Sequence, residues 1–167
     1  DELGQNGTYS SYLYTKKAVN IIEQHNRSEP LFLVLSTQNA HFPVNDPENP
    51  LAYEKSAIKE NLESIDSPSR EMYAKNMIML DKMVEEVVET LKAEGMWDNT
   101  ILMFTSDNGA CPNTGGSNLP YRGIKNTLFE GGTRVPSFIA SPMFSNDTRR
   151  SYDGLFHISD WLPTLLH

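Results

Sequence analysis

Four apolar residues, Ile101-Leu102-Met103-Phe104, stop abruptly at Thr105-Ser106-Asp107-Asn108-Gly109. A short apolar run bounded by turn residues predicts a buried β-strand. The residues at its carboxyl end constrain the fold further. In open α/β sheets, ligands sit beyond the carboxyl ends of the strands. Asp107 and Asn108 would stand there with hard oxygen donors, the type that Ca²⁺ and Mg²⁺ prefer. The same tripeptide is also ordinary turn chemistry, because Asp and Asn bond their own backbone. Gly109 would let the chain turn away without a Cβ clash. Downstream come Gly115-Gly116, then Arg122-Gly123-Ile124-Lys125, then Glu130-Gly131-Gly132-Thr133-Arg134. Metal-type oxygens, then cations, then a glycine pair point to a site for an anionic ester beside a divalent cation.

The chain before that stretch alternates helix and strand signals. Apolar spacing predicts a helix over Ser11–Gln24, with Leu13, Ala18, Val19, Ile21 and Ile22 on its buried side. Pro30 cannot continue it. Leu31-Phe32-Leu33-Val34-Leu35 then reads as a fully buried parallel strand. Its carboxyl end presents a polar segment, Ser36 to Pro43, that contains His41. A lone histidine before a proline serves a turn as readily as a site. Residues 44–66 hold clustered prolines and read as a surface excursion, with a helical turn near Tyr53–Glu60. Ser67 suits an N-cap and Pro68 the first position of a long helix. That helix should run to Glu94 and stop at Gly95. Leu80, Met83, Val84, Val87 and Leu91 share one face, and the methionines at 72, 77, 79 and 83 read as core filler. Glu85, Glu86, Glu89 and Lys92 read as a solvated face. Beyond the glycine-rich segment, Val135–Pro142 reads as a further strand and Phe144–Asp153 as a polar loop. A last helix starts near His157, with Asp160 as its cap and Pro163 tolerated in its first turn.

Charge narrows the partners. Fourteen Lys and Arg against 22 Asp and Glu give a net charge of −8. That argues against general nucleic-acid binding, which rests on neutralising phosphates. An anionic substrate would need a local basic pocket, and Arg122, Lys125 and Arg134 are placed to supply one. No apolar run approaches the roughly 18 residues of a transmembrane helix. Asp1-Glu2-Leu3-Gly4 does not read as a secretory leader. Three sequons, at Asn6, Asn26 and Asn146, favour a lysosomal or secreted glycoprotein. The single cysteine, Cys111, either pairs outside the sequence or is a buried free thiol. Nothing in the sequence fixes an oligomeric state.

Three segments together carry a resemblance: Thr105 to Gly109, Leu119-Pro120-Tyr121-Arg122-Gly123-Ile124-Lys125, and Leu128-Phe129-Glu130-Gly131-Gly132-Thr133-Arg134. In this order they resemble the sulfatase family, and most nearly its arylsulfatase B-like branch. Leu33 to Pro43 and His157 to Leu166 are similar to the same pattern. The resemblance implies an alkaline-phosphatase-like α/β sandwich with a mostly parallel central sheet. It implies hydrolysis of a sulfate ester on a carbohydrate or aryl group, with a glycosaminoglycan aminosugar as the leading substrate. It also implies Ca²⁺ and a formylglycine nucleophile. Mapped residue by residue, Asp107 and Asn108 match metal ligands. Lys125 matches the sulfate-binding lysine, and His41 the histidine near the leaving oxygen. Formylglycine arises from Cys or Ser in a Cys/Ser-x-Pro-x-Arg motif. Ser67-Pro68-Ser69-Arg70 fails that motif, because Asp66 stands where Cys or Ser is required. Cys111 fails because Pro112 follows it directly. Residues 1–167 therefore read as the middle and later part of one catalytic domain, without the formylglycine segment and the C-terminal continuation. Such a piece is expected to be inactive alone. The alternatives are a phosphatase or phosphodiesterase of the same superfamily and a non-catalytic relative that binds sulfated glycans.

Overall fold

The computed structural model describes residues 7–44, 46–47, 61–111, 113–144 and 151–166. Helix α1 spans Ser10–Glu23 and helix α2 spans Pro68–Ala93. Strand β1 is Leu102–Thr105, α3 is Glu130–Thr133, β2 is Ser137–Ala140 and α4 is Trp161–Leu166. Short 3-10 turns occupy Trp97–Asn99 and Ile158–Asp160. The expected turn near Tyr53–Glu60 and the sequons at Asn6 and Asn146 lie outside the described residues, as does most of the loop over Phe144–Asp153.

The two long helices pack on each other and hold the core. The buried stripe of α1 is Ser11, Thr15, Ala18 and Ile22. Their 4-3-4 spacing keeps one face turned to α2. Sequence periodicity found Ala18 and Ile22, whereas Leu13, Val19 and Ile21 are half-buried. Ser11 and Thr15 are buried as polar residues because they are small and satisfied: Thr15 Oγ1 donates to the Ser11 carbonyl at 2.7 Å. On α2 the buried residues are Asn76, Met79, Leu80, Met83 and Leu91. Met79 and Met83 fill the core, while Met77 stays 36% exposed.

The ends of α2 are set by local chemistry. Pro68 occupies the first turn, but the Ser67 side chain makes no cap bond. It contacts Ser69 Oγ instead. At the far end Gly95 has φ +68°. Its N–H donates to the Lys92 carbonyl at 3.0 Å, and the Met96 N–H donates to Leu91 at 2.8 Å. This is the Schellman pattern, which satisfies the last orphan carbonyls. Arg27, just past α1, pairs with Glu94 and ties the two helix ends together.

The sheet departs from expectation. Among the described residues it has two strands, β1 and β2, paired antiparallel with Leu102 opposite Ala140 and Thr105 opposite Ser137. Phe104 stacks on Phe138 across the pair, with centroids 5.2 Å apart. No parallel pair occurs among the described residues. Residues 31–35 alternate in exposure, Leu31, Leu33 and Leu35 half-buried and Phe32 and Val34 exposed, yet pair with no described strand. Extended backbone becomes a strand only when a neighbour takes its N–H and C=O groups. The apolar run alone cannot supply that neighbour.

Candidate functional site

Two loops converge in the glycine-rich half. The first leaves β1 at Ser106 and the second runs through Arg122 to Gly132. The Gly109 N–H donates to the Gly132 carbonyl at 2.9 Å, and the Gly131 N–H donates to Arg122 at 2.7 Å. A Cβ at Gly109 would lie 1.8 Å from the Gly131 carbonyl oxygen, and one at Gly131 would lie 2.2 Å from that of Gly123. These glycines are needed for close backbone approach, and Gly109 is not in a left-handed turn.

Asn118 locks the same loops, and sequence reasoning missed it. Its Oδ1 accepts from the Ala110 N–H at 2.7 Å, while its Nδ2 donates to Ala110 at 2.9 Å and to Gly123 at 3.3 Å. No spacing rule singles out an asparagine that bonds backbone eight residues away. The Lys125 N–H also donates to Ala110, at 3.1 Å. The Lys125 backbone is thereby fixed at Ala110, two residues past Asn108.

The Lys125 side chain, half-buried, reaches His41 from the other end of the chain. Its Nζ lies 3.3 Å from His41 Nε2, and His41 Nδ1 lies 2.6 Å from the Phe42 carbonyl oxygen. A carbonyl only accepts and an ammonium only donates. The geometry therefore assigns the proton of a neutral imidazole to Nδ1 and leaves the Nε2 lone pair facing Lys125. His41 and Lys125, 84 residues apart, meet at one point.

Asp107 and Asn108 behave partly as the turn their chemistry permits. Asp107 Oδ1 accepts from the Asn108 N–H at 2.8 Å, and Asn108 Nδ2 donates to the Gly109 carbonyl at 2.9 Å. One Asp107 oxygen and the Asn108 side-chain carbonyl remain without a protein donor among the described residues. These are two hard oxygens of the right chemistry, but Ca²⁺ takes about six to eight. The described residues contain no cluster of three or more His, Cys, Asp or Glu that would complete a shell. The residues fit a divalent cation only as part of a larger set.

The other two cations of the expected basic pocket are used elsewhere. Arg122 lies over the Phe129 ring, 4.0 Å from its centroid. Arg134 pairs with Glu130 at 3.2 Å and covers Tyr121 at 4.8 Å. Each guanidinium is held by a flat ring, a stacking preference that sequence spacing does not reveal. His157 is likewise committed: it caps the final helical segment. Its Nδ1 accepts from the Ser159 N–H at 3.3 Å, and its own N–H donates to Asp160 Oδ2 at 2.7 Å. Asp160 thus closes a capping box from inside the turn and is not the N-cap itself. Cys111 is an exposed free thiol, which removes the buried alternative. Asn26 is exposed in a turn after α1, with Oδ1 accepting from Ser28 Oγ at 2.9 Å.

A family model described as Sulfatase matches residues 1–167. Arylsulfatase J of Mus musculus is 37% identical over 161 residues, which cover 96% of this chain and 25% of that protein. N-acetylgalactosamine-6-sulfatase of Mus musculus is 34% identical over 130 residues, 75% of this chain and 22% of that protein. The crystal structure of Ps i-CgsB in complex with k-i-k-neocarrahexaose superposes with a TM-score of 0.71 at 31% identity, covering 81% of this chain and 28% of that one. The chain spans about a quarter of the length of the curated relatives it matches. None of the described helices is long and apolar enough to cross a membrane.

Proposed function

The chain belongs to the sulfatase family, and from that premise we propose that it forms part of the active site of a sulfatase of the arylsulfatase B-like branch. The substrate is a sulfate ester on a glycosaminoglycan aminosugar. The observation that carries this reading is the meeting of Lys125 and His41, with the Lys125 backbone bonded to Ala110, two residues past Asn108.

Each residue then has a chemical role. Lys125 puts a fixed positive charge where the sulfate oxygens lie, and preorganised charge is worth most in a site that excludes water. His41 offers Nε2 towards the same point. With a proton on Nε2 it serves as general acid to the departing alcohol oxygen. The Phe42 carbonyl holds the Nδ1 proton and orients the ring. Asp107 and Asn108 supply two oxygens towards Ca²⁺, with the remaining ligands from other parts of the protein. When bound, the cation polarises a sulfate oxygen and formylglycine supplies the nucleophile. Both depend on residues outside this chain, so the 167-residue piece alone hydrolyses no sulfate ester. Turnover of an aryl sulfate by the isolated piece, above a denatured control, would overturn that statement.

The open runs belong to the same reading. Residues 31–35 and β1 take parallel neighbours from the rest of the protein, which completes an alkaline-phosphatase-like sheet. Asn26 carries an N-glycan, as do Asn6 and Asn146, and the protein is lysosomal or secreted.

The test is Lys125→Ala in the full-length protein. Turnover of an aryl sulfate should fall by at least about a hundredfold, comparable to losing one preorganised donor. The melting temperature should match wild type. Lys92→Ala, on the solvated face of α2, is the control. Equal turnover for the two variants would remove the sulfate-site reading.

A further inference from the structure

The first turns of α2 touch two loops, one leading to Lys125 and one carrying His41. Arg70, Tyr73 and Asn76 make these contacts, each three residues after the last. Side chains at that spacing are neighbours on a helix surface. From Arg70 to Asn76 the helix rises only about 9 Å, at roughly 1.5 Å per residue.

The first loop rests on Arg70 and Tyr73. Arg70 Nη1 donates to the Gly115 carbonyl at 2.6 Å, and its guanidinium lies 5.9 Å from the centroid of the Tyr73 ring. Gly115 has φ +88°, and a Cβ there would lie 2.2 Å from the Ser69 carbonyl oxygen and 2.8 Å from Tyr73 Cβ. A Cβ at Gly116 would lie 2.6 Å from Ala110 Cβ and 3.3 Å from Tyr73 Cε2. Only glycines allow the loop to lie this close to the helix. Ala110 is the residue that Asn118 brackets, and its carbonyl takes the Lys125 N–H. Contact thus passes from Tyr73 through Gly116 and Ala110 to the Lys125 backbone.

The second loop rests on Asn76 through Asn39. Asn39 sits inside the turn that the His41 N–H closes on the Gln38 carbonyl at 2.6 Å. Asn39 Nδ2 donates to the Asn76 carbonyl and to Tyr9 Oη, both at 3.0 Å. Tyr9 Oη donates to Asn76 Oδ1, and Ser11 Oγ donates to Asn39 Oδ1. Ser11 and Asn76 are 1% and 4% exposed. Both protons of the Asn39 amide are used, and a network paired in this way is rigid.

We propose that Asn39 and Arg70 are positioning residues that seat the His41 turn and the Lys125 loop on one helix, so that the start of α2 sets the distance between Nε2 and Nζ. The proposal rests on the assignment of His41 and Lys125 to the sulfate. Each residue acts through the backbone that it holds. The helix between the two seats keeps a fixed length, because its own hydrogen bonds tie every turn to the next. Releasing either loop frees the distance, so releasing both adds little.

The experiment uses the full-length protein with 4-nitrophenyl sulfate. Asn39→Ala and Arg70→Ala should each lower kcat about tenfold, because an ångström of misplacement can cost about a hundredfold. The double variant should fall no more than about threefold below the slower single one, where independent sites would combine to about a hundredfold. Asn39→Asp keeps the acceptor for Ser11 and loses both Nδ2 donations; it should match Asn39→Ala and replaces it if the alanine variant does not fold. Amide exchange followed by mass spectrometry reads the seats without turnover. Exchange should quicken over residues 38–43 in Asn39→Ala and over residues 116–125 in Arg70→Ala, with residues 79–91 of α2 as in wild type. Faster exchange throughout α2 would mean that the variants loosen the core, and overturns the proposal. If Lys125→Ala loses turnover while either single variant keeps wild-type kcat, or while the double variant loses about a hundredfold, the seats fail and the sulfate reading stands. If Lys125→Ala keeps wild-type turnover, the sulfate reading fails and exchange alone judges the seats: local quickening keeps them, and unchanged exchange overturns them.

Discussion

Ile22 on α1 and Met83 on α2 are 1% and 2% exposed, whereas Phe138 and Ile139 on β2 are 48% and 42% exposed and Phe32 is 83% exposed. The helical pair closes its core between its own two faces, and its ends are satisfied by Gly95, Pro68 and the Arg27–Glu94 pair. The β1–β2 half leaves large apolar side chains open and is held mainly by backbone bonds between glycine-rich loops. Helices complete their hydrogen bonds within one segment, while strands need partners from elsewhere. Burial is therefore concentrated in the helical half, while Asp107, Asn108 and Lys125 lie in the other and His41 reaches Lys125 from the helical side. Loops positioned by a rigid scaffold commonly carry function.

Substitutions in the full-length protein can break this contrast. The largest stability effect is expected at Met83→Ala, at about 2–5 kcal/mol from lost burial and the cavity left behind. Denaturant unfolding measures it, and turnover of the folded fraction should stay near wild type. A cost below about 0.5 kcal/mol, the size of an ordinary surface change, would show that the helical pair is not the stable half.

Gly109→Ala should cost less stability but more function. Its new methyl overlaps the Gly131 carbonyl, and overpacking of this kind costs about 1–3 kcal/mol. The two loops must part, which moves Lys125 away from Asp107. Aryl sulfate turnover should therefore fall in step with Lys125→Ala. Wild-type turnover in Gly109→Ala would mean that the close loop contact does not position the site.

The smallest effect is expected at Lys82→Ala on the outer face of α2. It removes the exposed Lys82–Glu85 contact at 2.6 Å. Exposed pairs of this kind contribute about 0–1 kcal/mol and are screened by salt. Glu85 holds the Lys82 ammonium above its usual range. That contribution is present at neutral pH and is lost as pH rises through the raised value. Unfolding curves for wild type and Lys82→Ala should coincide once pH passes that point. A gap that widens with rising pH would contradict the pairing.

The helices were legible because their signals are local. Pro68 and Gly95 bracket α2, and apolar spacing found Leu80, Met83 and Leu91. Strand positions were legible within a residue or two: β1 starts at Leu102, where the apolar run begins at Ile101, and β2 keeps the middle of Val135–Pro142. Pairing was not legible, because the partner of a strand lies far away in sequence and its register depends on that partner. Residues 31–35 have the composition of a buried strand and stand without a described neighbour.

The site divides in the same way. The sequence alone determined that Asp107, Asn108, His41 and Lys125 occupy the ends of apolar runs and glycine-rich turns. It also determined the family, because three short motifs in fixed order are hard to meet by chance. Only the tertiary structure decided which cations are free to act. Arg122 and Arg134 lie on aromatic rings, while Lys125 reaches His41 across 84 residues. Only the tertiary structure brought Tyr9, Asn39 and Asn76 into one network beside that pair. The physical reason is reach: caps and turns act over about four residues, whereas a side chain's partner in a cleft is set by how distant segments pack.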